Sequence, residues 1–143
     1  MDPVLLRQSL DLIPDKTQFA ERFYQQLFTD APAAAALFQH TNWQKQYSSL
    51  MGTIAFVVAG VERGENLTPA LQTLGGKHRG YGAQPEHYPL VGAALITTFQ
   101  EHVPGFTASM ETSWLQAFTI ISAEMIKGAE ANQPSFQVED LAS

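Results

Sequence analysis

The sequence predicts a single all-helical domain, and three observations support that prediction. Apolar residues recur every three or four positions in six segments of the 143-residue chain, the spacing of a helix with one buried face. Proline, glycine and capping residues separate these segments. No segment alternates apolar and polar residues as a half-buried strand would. These patterns predict six longer helices and one short one around a single core.

The first two helices are delimited by acidic caps and a proline. Asp2 followed by Pro3 favours a helix start, and Pro14 is expected to stop that helix. The second helix is expected to begin at Asp15 or at Thr17 and to run to about residue 30. Its apolar residues lie in two rows at i, i+4 spacing: Phe19, Phe23 and Leu27, and beside them Ala20, Tyr24 and Phe28.

The middle of the chain predicts a short helix and then a long one. Pro32 opens an alanine-rich turn that ends near Phe38. Thr41 and Asn42 cap the next helix, which is expected to close between residues 60 and 64. One face of that helix carries Trp43, Gln46, Tyr47, Leu50, Ile54, Val57 and Val58.

Three more helices are expected before a polar tail. Their boundaries are marked in order by Thr68-Pro69, Gly80 with Gly82, Pro85, Pro104-Gly105 and Thr107. Their faces carry Leu67, Leu71, Leu74 and His78, then Tyr88, Val91, Leu95 and Phe99, then Met110, Trp114, Phe118, Ile121 and Met125. From about Asn132 the period is lost, so residues 1–131 are expected to form the domain and residues 132–143 a polar C-terminal tail.

Composition excludes several functional classes. The net charge of -6 argues against nucleic acid or an anionic membrane as the main partner, because both require a basic face. The absence of cysteine excludes disulfides, thiolate metal sites and cysteine nucleophiles. The most apolar run, residues 54–61, is too short to span a bilayer, and an acid near the N-terminus is unlike a signal peptide. We therefore expect a soluble cytoplasmic protein.

His78 is the one histidine of four that ends a long apolar stripe. One ring nitrogen can donate to the carbonyl of Leu74 one turn earlier, which leaves the other facing an apolar interior. That environment suits an axial haem ligand. From the residues alone, a hydrogen-bonded core histidine at a helix end is the commoner explanation of such a pattern, and both interpretations stay open.

Tyr24 and Gln46 are polar residues within otherwise apolar helix faces. A buried phenol or amide without a partner costs on the order of 1–3 kcal/mol. The two side chains could face a common cavity and serve a bound ligand there. Alternatively, each could reach a backbone carbonyl or a water molecule.

A resemblance to a known family covers residues 3 to 130. The run from Leu74 to Gly92, which includes His78 and Tyr88, resembles the proximal segment of bacterial single-domain haemoglobins and of the globin domain of flavohaemoglobins. Other pieces resemble the family in the expected order: Phe23-Tyr24 with Leu27-Phe28, Leu37-Phe38, and Ser113-Trp114 with Ala117-Phe118.

The resemblance implies a globin fold, a three-over-three helical sandwich around haem b, with O2, NO or CO as ligand. It implies that His78 is the proximal iron ligand and that Tyr24 and Gln46 donate to the bound gas, with Leu50 closing over it. Phe38 corresponds to the phenylalanine that stacks on the porphyrin, and Tyr88 to a tyrosine of the proximal hydrogen-bond network. The remaining pocket walls are expected to be Phe28 and Ile54 on the distal side, and Leu71, Leu74, Val91 and Phe118 on the proximal side.

One residue departs from the flavohaemoglobin pattern. Ala129 stands where that family has a glutamate in its proximal network, and Glu130 follows one residue later, about 100° around the helix. Whether Glu130 takes over that role is left open, as is internal ligation of the iron by His40 or Gln46. The 143 residues hold no flavin or nicotinamide domain, so reducing electrons are expected to come from a separate reductase.

The preferred function at this point is reversible oxygen binding. The first alternative is nitric oxide dioxygenation with an external reductase. Alternatives of another class are a gas sensor and a haem-free interaction module.

Overall fold

The computed structural model describes residues 1–131, which form six α-helices, one 3-10 helix and no strand. In chain order these are α1 (Pro3–Asp11), α2 (Lys16–Asp30), the 3-10 helix (Pro32–Phe38), α3 (Trp43–Arg63), α4 (Thr68–Gly80), α5 (His87–His102) and α6 (Ala108–Ala131). The expected all-helical fold is confirmed. The predicted polar tail lies outside the described residues. Within residues 1–131, no helix combines the length and the apolar character that a bilayer-spanning segment needs.

Most helix starts coincide with the capping residues that the sequence indicates. The side chains of Asp2, Asp15 and Asn42 accept hydrogen bonds from the first-turn amides of α1, α2 and α3. Thr107 does the same for α6, where the amide of Met110 donates to its hydroxyl over 3.1 Å. Gly64 ends α3 with a φ of 66°, a left-handed conformation that favours glycine.

Two predicted helix starts are wrong by one or two residues. Thr68 is the first residue of α4 rather than its cap, and its amide donates to the side chain of Asn66. The helix expected from Pro85 begins at His87. A turn precedes it, because the amide of His87 donates to the carbonyl of Gln84 and the amide of Gln84 donates back to the His87 ring. That reciprocal pair satisfies the backbone without a helical turn.

The helices pack in two main pairs, α4 with α6 and α2 with α5, while α1 lies against α3 and α6. The larger core contains Phe19, Phe99 and Trp114, whose rings form a chain of contacts with centroids 4.9 and 4.8 Å apart. A smaller core joins Val57, Leu71, Tyr88 and Met125. The hydroxyl of Ser9 accepts a hydrogen bond from the Trp114 indole over 2.6 Å, which ties α1 to α6.

Candidate functional site

Tyr24 and Gln46 meet in a direct hydrogen bond between α2 and α3. The Gln46 amide nitrogen donates to the Tyr24 hydroxyl oxygen over 2.7 Å. Tyr24 is buried, with 6% of its surface exposed, whereas Gln46 is half-buried. Burial raises the pKa of Tyr24 to about 12, and the bond from Gln46 opposes that effect. The phenol therefore remains protonated at neutral pH, and its own O–H is not used in the bond with Gln46.

Tyr24 lies at the centre of an aromatic cluster of six rings. Its ring contacts all five others, with centroid distances from 4.9 to 6.1 Å. The cluster consists of Phe23, Tyr24 and Phe28 from α2, Phe38 from the 3-10 helix, and Trp43 and Tyr47 from α3. Phe38 and Trp43 are stacked, with an interplanar angle of 18°. The cluster holds three chain segments around one phenol.

Trp43 and Tyr47 were not singled out as site residues by the sequence. Both are aromatic residues on the apolar stripe of α3, so neither stands out from the other residues of that stripe. Their i, i+4 spacing beside Gln46 would have been the available signal. Only the crossing of α2 and α3 shows that they contact Tyr24.

His78 lies near the end of α4 and is half-buried. Its Nδ1 lies 2.9 Å from the carbonyl oxygen of Leu74. A carbonyl can only accept, so the Nδ1 atom carries a proton, and in the neutral ring Nε2 then carries the lone pair. Within residues 1–131, no hydrogen bond engages Nε2. The ring is thus fixed in the tautomer that leaves Nε2 available to a metal.

The predicted pocket residues divide between the two cores. Tyr24 and Ile54 belong to the larger core, and Phe28, Phe38, Leu50 and Val91 pack against it. Leu71 and Tyr88 belong to the smaller core, and Leu74 and Phe118 pack against it. Within the described residues, no hydrogen bond or ring contact joins Tyr24 or Gln46 to His78. Apart from Val91, the residues expected on opposite walls fall in opposite cores.

At the position where the resemblance leads us to look for a proximal glutamate, α6 presents the methyl group of Ala129. Ala129 is half-buried, whereas Glu130 is exposed. Tyr88 is buried, and burial raises the pKa of its hydroxyl. Its hydroxyl makes no hydrogen bond within the part of the chain described. His40 is exposed in the turn after the 3-10 helix.

Comparison with known proteins identifies the family. The Globin family model matches residues 21–125, which is most of the chain. The chain belongs to the globin family. Membership implies a haem cofactor and gaseous ligands. It also agrees with the fold, since a Pseudomonas aeruginosa protein described as structurally highly homologous to a human haemoglobin aligns with a TM-score of 0.80. That alignment has 25% identity and covers 89% of this chain and 97% of the other.

The most similar relatives by sequence include several flavohemoproteins. The globin is 30% identical to one from Bacillus cereus over 125 residues, 85% of this chain and 31% of the relative. It is 32% identical to one from Xylella fastidiosa over 132 residues, 89% of this chain and 32% of the relative. The chain therefore spans about a third of the length of these relatives.

The donor set fits a haem better than a bare metal ion. Within residues 1–131, no group of three or more histidine, cysteine or acidic side chains could hold a metal ion. A single imidazole with a free Nε2 is what a haem iron requires, because the porphyrin supplies the four other nitrogen ligands. The residues present in this globin therefore fit the cofactor that the family implies.

Proposed function

We propose that this globin binds haem b through His78 and reversibly binds O2 beside Tyr24 and Gln46, with NO and CO as further ligands. The observation that carries the proposal is the tautomer of His78, whose Nδ1 proton is committed to Leu74 and whose Nε2 is free. The haem, when bound, supplies an iron at which a diatomic gas is held. The chain's own residues supply the pocket and its hydrogen-bond donors.

The bond between Gln46 and Tyr24 prepares the phenol as a donor. Because Gln46 donates to the phenol oxygen, the phenol hydrogen of Tyr24 points away from Gln46. A hydroxyl that already accepts one hydrogen bond also donates its own hydrogen bond more strongly. A buried donor is effective toward a ligand that gains negative charge in a low-dielectric pocket. Tyr24 is therefore the principal donor in this proposal, and Gln46 acts mainly by positioning it.

With the exception of Val91, which packs against the larger core, the proposed pocket walls follow the two cores. Phe28, Phe38, Leu50 and Ile54 would line the side of Tyr24, and Leu71, Leu74, Tyr88, Val91 and Phe118 the side of His78. Trp43 and Tyr47 extend the first wall, because both contact Tyr24. These apolar side chains would exclude water from the donor and from the ligand.

A haem titration followed by oxygen equilibration tests the proposal. The purified chain should take up one haem per chain with a Soret band. After reduction, it should show a spectrum that changes on exposure to O2 and returns when O2 is removed. A chain that folds and takes up no haem would support the haem-free interaction module instead. Haem uptake without reversible O2 binding would leave a haem globin of another function, such as a gas sensor.

The similarity to flavohemoproteins favours a second candidate, nitric oxide dioxygenation. In that reaction NO and O2 would combine with one electron to give nitrate, and we propose a flavin reductase as the source of that electron. NO consumption with NADH and an added flavin reductase, compared with the globin alone and the reductase alone, distinguishes the two functions. Sustained turnover only in the complete mixture would favour the dioxygenase.

A further inference from the structure

The helix that carries His78 meets α6 backbone to backbone at two glycines. A Cβ atom on Gly75 of α4 would lie 1.9 Å from the carbonyl oxygen of Met125. A Cβ atom on Gly128 of α6 would lie 2.0 Å from the carbonyl oxygen of Gln72. The contact is therefore reciprocal. Gly75 faces the backbone of Met125, three residues before Gly128, and Gly128 faces the backbone of Gln72, three residues before Gly75.

This crossing admits no side chain on either glycine. Real Cβ atoms essentially never approach another heavy atom within 3.0 Å, and here the obstacle on both sides is backbone. A helix backbone cannot rotate away as a flexible side chain can. A single methyl group would separate α4 from α6 by about 1 Å, since the interior is close-packed and offers no free volume.

The position of His78 depends directly on this crossing. Gly75 follows Leu74, whose carbonyl holds the His78 ring, and it precedes His78 by three residues, so the two lie near each other on α4. Beside the crossing, the Gln72 amide donates to Glu124 of α6 over 3.1 Å. Any displacement of α4 at Gly75 is therefore carried to the His78 ring.

We propose that Gly75 and Gly128 are positioning residues that set where His78 meets the haem iron. They act by fixing the distance between α4 and α6. This inference rests on the proposed haem ligation by His78, but it does not require reversible O2 binding. In this proposal α6 supports the proximal site through its backbone at Gly128. The next two residues of α6 are Ala129, which has no carboxylate, and Glu130, which is exposed.

The test compares Gly75→Ala and Gly128→Ala with Gly80→Ala, each loaded with haem. Gly80 also lies in α4, only two residues from His78, but a Cβ there meets nothing within 4 Å. The iron–histidine stretching band of the reduced, ligand-free protein is measured by resonance Raman, and haem loss by transfer to an excess of apomyoglobin. We expect Gly75→Ala and Gly128→Ala to shift the band and to accelerate haem loss by about tenfold or more. Gly80→Ala should match the wild type in both.

Three results would overturn the inference. The first is an unshifted band in both crossing variants, even if they are less stable, because the crossing would then be merely structural. The second is an equal shift in Gly80→Ala. The third is the absence of an iron–histidine band in the wild type, which would also remove the ligation by His78. A normal band without reversible O2 binding would contradict only the proposed oxygen function.

If neither crossing variant folds, Gln72→Met replaces them. It removes the hydrogen bond to Glu124 and adds no atom against the α6 backbone. We expect a broader or shifted iron–histidine band, because the crossing would be less rigidly held. An unchanged band in Gln72→Met would then count against the inference.

Discussion

At the scale of single residues, the hydroxyl of Tyr24 is the group on which the proposed ligand chemistry depends. Tyr24→Phe removes the donor and keeps the ring in its aromatic cluster. We expect the O2 dissociation rate to rise by at least about tenfold, since a hydrogen bond to a charged acceptor contributes about 1.5–3 kcal/mol. The association rate should change little, because the bond forms only after the ligand arrives. Stopped-flow replacement of O2 by CO measures the dissociation rate.

Two variants separate this effect from a general disturbance of the pocket. Gln46→Leu should raise the O2 dissociation rate less, because Gln46 donates to the phenol oxygen and acts on the ligand through it. Tyr47→Phe removes a hydroxyl from a neighbouring ring of the same cluster and serves as the matched control. CO dissociation should change little in all three. An unchanged O2 dissociation rate in Tyr24→Phe would identify Tyr24 as an ordinary core residue.

His78 should be required for haem retention. His78→Ala removes the proposed protein bond to iron and leaves the apolar walls in place. We expect a loss of haem during purification that added imidazole restores. His40→Ala, at an exposed position, should keep its full haem content. Haem content and a visible spectrum equal to wild type in His78→Ala would rule out its assignment as the ligand.

The buried phenol of Tyr24 should also make stability depend on pH in the alkaline range. The pKa of Tyr24 is raised from 10 to about 12 in the folded chain, so the folded state holds the proton more tightly than the unfolded state. The contribution of the Tyr24 phenol to the unfolding free energy is therefore fully present below pH 10 and is lost as the pH rises from 10 toward 12. Relative to Tyr24→Phe, the wild type should lose about 1.4 kcal/mol of unfolding free energy by pH 11.

Urea unfolding of both proteins from pH 8 to pH 11 measures this difference. Tyr88, whose pKa burial also raises, is present in both proteins, so its contribution cancels. A difference that stays constant over the whole range would show that the phenol of Tyr24 is accessible to water.

At the scale of elements, Gly52 within α3 and Gly64, which caps the C-terminal end of α3, have opposite conformational requirements. Gly64 ends the helix with a φ of 66°, where any other residue is strained, so Gly64→Ala should lower the unfolding free energy by about 1 kcal/mol. Gly52 lies within the helix, is exposed, and has open space around a Cβ. Gly52→Ala should therefore stabilise the chain by about 0.5–1 kcal/mol. Urea unfolding checks both values, and equal effects of the two substitutions would contradict the assigned helix end.

At the scale of the whole molecule, Ser9 and Trp114 connect the first helix to the last. Ser9 is fully buried, and its hydroxyl donates to the backbone of α1 while accepting from the Trp114 indole. Ser9→Ala leaves the indole N–H buried without its partner, which should lower the unfolding free energy by about 1–3 kcal/mol. Ser48→Ala, at an exposed position, is the control and should have little effect. A stability loss no larger than that of Ser48→Ala would mean that water replaces the lost hydroxyl.

The features that depend on neighbours along the chain were predictable from the sequence. The all-helical fold follows from apolar periodicity, and the starts of α1, α2, α3 and α6 follow from capping residues. The hydrogen bond from His78 to Leu74 follows from their i, i+4 spacing, because one turn of helix places those atoms together. Where prediction of a helix start failed, at Gln84 and His87, a side chain competed with the helical backbone.

Only the tertiary structure decided how the helices meet. It placed the Gln46 amide on the Tyr24 hydroxyl, surrounded that phenol with Trp43 and Tyr47, and brought Gly75 and Gly128 into backbone contact. Periodicity states which face of a helix is buried, but not which helix covers it or at what distance. Those quantities result from close packing of side chains contributed by distant parts of the chain, and one methyl group on Gly75 is enough to change them.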